Sequence, residues 1–132
     1  MERQIETVDA DECLKLLATQ SVGRLAYIVR DRPMITPVNY HVTGGAVVIR
    51  VDIGQKFGSA LRDGFFALQA DSLDSDTRTG WTVTLTGPAS WLTDEEAAGL
   101  EGVLKTWAPG ERAHFLRIEP HQLGGRRIAG EG

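Results

Sequence analysis

The run Trp81-Thr82-Val83-Thr84-Leu85-Thr86-Gly87 alternates apolar and polar residues without a break. A period of two is the repeat of an extended chain. It sends Trp81, Val83 and Leu85 to one face and Thr82, Thr84 and Thr86 to the other. Such a strand needs a core on one side only. Similar runs recur along the chain: Val22 to Val29, Met34 to Val42, Ala46 to Val51, Phe65 to Ala70 and His114 to Ile118 all read as strands. Arg30-Asp31-Arg32-Pro33 reads as the turn between the first two, and Thr43-Gly44-Gly45 is a hairpin signal before the third. Pro37 lies inside the second run and cannot donate to a ladder, which predicts an edge or a bulge there. Pro88 leaves open whether the Trp81 strand continues through Ala89 to Leu92.

Helical signals are few. Asp9 is the expected N-cap of a short helix, with Glu12 at the capping-box position and an apolar stripe of Cys13, Leu14, Leu16, Leu17 and Ala18 that ends before Gly23. Thr93-Asp94-Glu95-Glu96 is a second capping box, followed by Ala97, Leu100, Leu104 and Trp107 on one face; Pro109-Gly110 ends that segment. A turn from Asp52 is expected to enter a short helix running to about Asp63. Asp71 to Gly80 is polar and reads as a loop. Gly124-Gly125-Arg126-Arg127-Ile128 reads as a basic, solvated tail that frays at Gly130-Glu131-Gly132. The pattern predicts a mainly β fold of one domain, residues 1–132, with six to eight short strands closed into a small antiparallel barrel. Closure removes the exposed edges that so many short strands would otherwise leave.

Charge and cysteine content bound the function. The net charge of −4 argues against nucleic acid as a partner. Cys13 is alone and cannot form an internal disulfide, so a reducing compartment is expected. No run approaches the roughly 18 apolar residues of a membrane helix, and the polar start Met1-Glu2-Arg3-Gln4 lacks a signal-peptide core. The expectation is a cytoplasmic protein with no membrane association.

The chemistry-bearing motifs are as telling by absence. There is no Walker phosphate loop, no GxGxxG turn and no Gly-x-Ser-x-Gly elbow. His41, His114 and His121 are too scattered for a metal set, so no metal is expected. What remains is Arg50-Val51-Asp52-Ile53-Gly54-Gln55-Lys56: a cation at a strand end, a glycine turn, then a cation at a helix start. Turn amides and a helix N-terminus favour an anion, and a guanidinium can grip two of its oxygens. The same residues also read as a strand end with two surface cations, and spacing alone leaves both open.

Three ordered segments resemble the pyridoxamine 5'-phosphate oxidase-like flavin split barrels. They are Val22-Gly23-Arg24-Leu25-Ala26 with Pro33 and Pro37-Val38-Asn39-Tyr40; Arg50 with Gly54 and Lys56; and Gly80-Trp81-Thr82-Val83 with Gly87. The resemblance covers roughly residues 9 to 128 and implies a Greek-key split barrel that binds FMN between the subunits of a homodimer. It implies that Arg50 and Lys56 hold the flavin phosphate beside Val51 and Gly54. It places Thr36, Pro37, Val38 and Asn39 along the isoalloxazine ring and brings Trp81 and Thr82 from the second subunit. Packing into the core is the competing reading for Trp81, which shares a face with Val83 and Leu85. Tyr40 and His41 read as barrel residues rather than catalytic ones, and no catalytic residue is assigned.

Two departures shape the expected activity. Val51 replaces the hydroxyl residue that many relatives carry after the phosphate-binding Arg. The chain also ends without the extension that holds the vitamin B6 ring in the true oxidases, so pyridoxamine phosphate oxidation is not expected. The implied activity is reduction of a small electrophile, such as a quinone or nitro compound. F420 in place of FMN is one alternative, with Arg24, Arg50, Lys56 and Arg126 as cations for its longer tail. A non-catalytic flavin- or haem-binding module is another, and a scaffold that has lost its cofactor is a third.

Overall fold

In the computed structural model, residues 4–51, 64–100 and 114–129 are described. They form eight strands and two short helices. The strands are β1 (Gln4–Val8), β2 (Val22–Val29), β3 (Arg32–Thr43), β4 (Ala46–Val51), β5 (Phe65–Asp74), β6 (Thr79–Trp91), β7 (His114–Ile118) and β8 (Gln122–Ala129). The helices are α1 (Ala10–Leu17) and α2 (Asp94–Ala98). The sheet order is β1-β8-β6-β5-β2-β3-β4-β7, and β6 pairs again with β7. That second pairing closes β6, β5, β2, β3, β4 and β7 into a ring of six antiparallel strands, with β8 and β1 as a flap beside β6. The mainly β split barrel expected from the period-two runs is the fold observed.

Alternation explains the core. Leu25 on β2, Val47 and Ile49 on β4, Phe66 and Leu68 on β5, Val83 and Leu85 on β6, and Leu116 and Ile118 on β7 are all fully buried. Cys13 and Leu17 of α1 join the same cluster, so the helix packs onto the barrel core. Asp9 caps that helix as expected, its Oδ1 accepting from the Glu12 N–H at 2.8 Å. The Glu12 carboxylate accepts instead from Arg127 on β8, at 2.9 Å. Tyr40 ties barrel to helix by donating its hydroxyl hydrogen to the Leu17 carbonyl at 2.6 Å. Thr93 and Glu96 cap α2 reciprocally, which lays Ala97 and Leu100 over Val48 and Phe115.

Several boundaries differ from the sequence reading. The first turn is only Arg30 and Asp31, both left-handed (φ 51° and 64°), because Val29 and Arg32 already pair. The Gly44-Gly45 hairpin has the two left-handed residues a tight reversal needs (φ 59° and 76°). Gly23 lies inside β2, and α1 is closed by Ala18. Asp71 to Gly80 is not a loop: the ladder runs unbroken from Asp71↔Thr82 to Asp74↔Thr79, leaving only residues 75–78 as the turn. β6 does continue past Pro88, changing partners there from β5 and β8 to β7. The glycine-rich basic segment is not a solvated tail but β8, paired with β6 and with the unforeseen β1. The predicted helix of 52–63, Leu104, Trp107, Pro109-Gly110 and the fraying end lie outside the described residues.

Candidate functional site

The β3–β4 ladder runs from Thr43↔Ala46 to Tyr40↔Ile49 and stops. The next two opposed pairs would be Asn39 with Arg50 and Val38 with Val51. β4 nevertheless keeps its pairing with β7 through Val51↔His114. The barrel wall therefore parts between β3 and β4 at the residues the sequence singles out. From Arg32 to Asn39, β3 pairs only with β2, and among the described residues no strand takes its other edge. This is the edge position that Pro37 requires. From Arg32 to Val38 this is an edge that no described strand covers, the kind of edge a planar, hydrogen-bonding ligand uses.

Side-chain direction follows from alternation. Val47, Ile49 and Val51 pack into the core, which turns Val48 and Arg50 to the outside of β4. Arg50 stands half-buried beside Phe115, on the flank that α2 covers. On β3, Val38 is buried, Thr36 and Asn39 are half-buried and Pro37 is exposed. Asn39 and Arg50 share the outer face on either side of the parting. A guanidinium at an opening edged by main-chain groups fits a phosphate-bearing ring system. Val51 points inward at 2% exposure, so its side chain faces the core, and a hydroxyl at that position would too. Gly54 and Lys56 lie outside the described residues.

Trp81 and Thr82 stand elsewhere. Around the ring, β6 is separated from β4 by β7 in one direction and by β5, β2 and β3 in the other. The Trp81 ring packs against the core cluster, as the competing reading held. Its outer part borders a shallow pocket of about 530 Å³ that also meets Ser72, Asp74, Ser75 and Gly80. Thr82 faces outward into a groove with Thr84, Thr86, Gln69, Gln122 and Arg126. The structure brings Thr36 to Asn39 together with Arg50 and Val51, and sets Trp81 and Thr82 on a different wall.

Two polar features support the scaffold instead. Burial pushes the Tyr40 phenol up to about 12, consistent with a hydroxyl that keeps its proton for the Leu17 carbonyl. Burial, then the charges of Asp9 and Glu12, push the Cys13 thiol up as well, which makes it a poor nucleophile. The groove residues of β8 carry no strand signal of their own, because a run of glycines and arginines has no apolar alternation. The alternation of Thr82, Thr84 and Thr86 was the available signal.

The comparisons agree with this architecture. The family model described as pyridoxamine 5'-phosphate oxidase matches residues 9–127. An uncharacterized protein of Mycobacterium tuberculosis is 33% identical over 135 residues, covering 98% of this chain and 89% of the relative. The FAD binding protein of Mycobacterium smegmatis superposes with a TM-score of 0.73 at 28% identity, covering 96% of this chain and all (100%) of that one. A FAD-binding protein of Mesorhizobium loti has the same fold, with a TM-score of 0.80 at 23% identity over 97% of this chain and 99% of the other. Among the described residues no helix is long and apolar enough to cross a membrane. The parted barrel, the cation at the parting and the match over residues 9–127 place this chain in the pyridoxamine 5'-phosphate oxidase family.

Proposed function

We propose that this chain binds a flavin through its phosphate, FMN being the smallest form that satisfies the site, and acts as a flavin-dependent oxidoreductase. The observation that carries the reading is Arg50, half-buried on the outside of β4 where β3 and β4 part. Two relatives of the same fold that bind FAD support it. Arg50 holds the phosphate, with Lys56 and the Gly54 turn as its expected partners. The β3 segment of Thr36, Pro37, Val38 and Asn39, paired with β2 on one side, orients the ring through main-chain groups on its other side. The flavin supplies the two-electron chemistry, and the protein supplies binding and electrostatics. No side-chain acid or base is assigned to the reaction.

The functional unit is a homodimer. Arg50 and Thr82 belong to different walls of one barrel. The family resemblance supplies Thr82 from a second copy of the chain, and a cleft between small barrels offers the room their filled interiors lack. The substrate class is a small electrophile such as a quinone or nitro compound. The test is reconstitution with FMN followed by turnover assays with NADPH and a quinone or a nitroaromatic. Steady reduction supports the enzyme. Stoichiometric flavin without turnover across donors and acceptors makes the protein a binding module, and no retained flavin removes the reading altogether.

A further inference from the structure

Pro33 and Pro37 both sit on the β3 edge, and the ladder beside them fixes which way every main-chain group there points. Two observations set that parity. The Tyr40 N–H donates to the Ser21 carbonyl at 3.0 Å. Arg30 and Asp31 are both left-handed with Val29 and Arg32 paired across them, the closing pair of a two-residue hairpin. Bonded and non-bonded pairs alternate in an antiparallel ladder, so the even-numbered residues of β3 exchange hydrogen bonds with β2. Pro33, Ile35 and Pro37, opposite Ile28, Ala26 and Arg24, are the non-bonded ones. Their main-chain groups point away from β2, toward the edge that no strand takes among the described residues.

Proline has no N–H. From Arg32 to Val38 this edge therefore presents the carbonyls of Pro33, Ile35 and Pro37 but only the Ile35 N–H as a donor. That composition argues against a strand as the occupant. Two copies of the edge paired antiparallel about Ile35 would set each Pro33 against a Pro37, where neither can donate. The side chains exclude a charged ligand as well, since none of Pro33, Met34, Ile35, Thr36, Pro37 and Val38 is ionisable. Ile35 is 70% exposed, and Met34, on the opposite face by alternation, is 44% exposed. The edge suits a small, flat, uncharged molecule that carries an acceptor beside a donor and lies between two apolar side chains.

A primary carboxamide on a ring meets those terms. Its oxygen accepts from the Ile35 N–H while its own N–H donates to the Ile35 carbonyl. A quinone or a nitro group brings acceptors alone, and a carboxylate brings charge without a donor. We infer that Ile35 docks the carboxamide of a nicotinamide ring, so that the electron donor of this protein is a dihydronicotinamide. The inference rests on the flavin reading, which sets the cofactor ring on the adjoining segment from Thr36 to Asn39. The dihydronicotinamide gives up a hydride, two electrons with one proton, to the oxidised flavin and leaves as the nicotinamide cation. Its carboxamide is unchanged, so Ile35 binds the donor and takes no part in the bond changes.

The test is an NMR titration of nicotinamide into isotope-labelled, FMN-reconstituted protein, following the Ile35 amide. Acetylpyridine and nicotinate serve as analogues that lack the donor. The Ile35 cross-peak should move with nicotinamide, and both analogues should bind about five- to tenfold more weakly, the size of one hydrogen bond. Ile35→Pro removes the N–H at a position where β2 takes no bond and where Pro33 and Pro37 already fit the strand. It should weaken nicotinamide by a similar factor and raise KM for NADPH more than it lowers kcat. Ile35→Ala keeps the N–H and should stay within about twofold of the wild type. Circular dichroism checks that both variants fold, and the wild-type cross-peak with its analogue series decides the matter if the proline variant does not. An unmoved Ile35 cross-peak, or equal affinity for the three pyridines, overturns the inference and leaves the flavin reading standing. So does a folded Ile35→Pro protein that binds nicotinamide undiminished. A protein that retains no FMN overturns the flavin reading and this inference with it.

Discussion

Val83 and Leu85 are fully buried, while Thr82, Thr84 and Thr86, one residue away on the same strand, are half-buried on the outside. The inner set has every neighbour it needs within this chain. The outer set lies around a glycine with open space above it. The two faces of β6 differ in their surroundings: the barrel closes around one, and the other lines an open groove. Substitutions should therefore divide sharply, with stability lost on one side and recognition on the other.

The largest effect belongs to the interior. Phe66 is fully buried and stacks on Tyr27 with ring centroids 5.9 Å apart. Phe66→Ala should cost about 3–5 kcal/mol in chemical denaturation, and a loss near the surface range of 0.5 kcal/mol would break the comparison. A pair of glycines sharpens it further. A Cβ on Gly87 would lie 1.7 Å from the Glu119 carbonyl oxygen, so Gly87→Ala must move backbone and should cost roughly 1–3 kcal/mol. Gly124→Ala should instead be neutral or gain up to about 1 kcal/mol, because it only removes unfolded-state freedom. Equal Tm shifts for the two variants would erase the distinction between packing glycine and open glycine.

Tyr40 gives a pH signature to the interior. Its folded phenol titrates near 12 against an ordinary 10, so the unfolded chain releases the proton first as pH rises. The stability this group contributes is complete below pH 10 and is lost between about 10 and 12. Tyr40→Phe should cost about 1 kcal/mol at neutral pH, through the lost bond to Leu17, and should flatten that alkaline loss. Urea midpoints measured from pH 8 to 11 check both. The smallest effect is expected at Thr84→Ala, within about 0.5 kcal/mol, although Gln69 loses a partner there.

What the sequence made legible follows the same division. Where one face is buried and turn residues bound the run, the strand is plain: β2, β4 and β7 have the limits their alternation predicts. Where neither face is apolar, periodicity has nothing to mark. The outer end of the β5–β6 hairpin carries Ser72, Asp74 and Thr79, and only the continued ladder reveals it as strand. β1 buries Val8 and leaves Ile5 at 66% exposure, and β8 is built from glycines and arginines, so both are invisible until they pair. The site divides similarly. Arg50 announces itself as a cation at the end of an apolar strand. The groove over Gly124 exists only because β8 docks on β6, a long-range pairing that no local pattern records.

The central claim is that the parting of β3 and β4 holds a flavin phosphate on Arg50. Its most direct test is a fluorescence titration of FMN into gel-filtered wild type and Arg50→Ala, with thermal unfolding measured alongside. Saturable wild-type binding that falls about 10- to 100-fold in the variant, the size of one or two charge-assisted hydrogen bonds, is the predicted result. Undiminished binding by a folded Arg50→Ala protein would contradict it and move the phosphate to another part of the barrel.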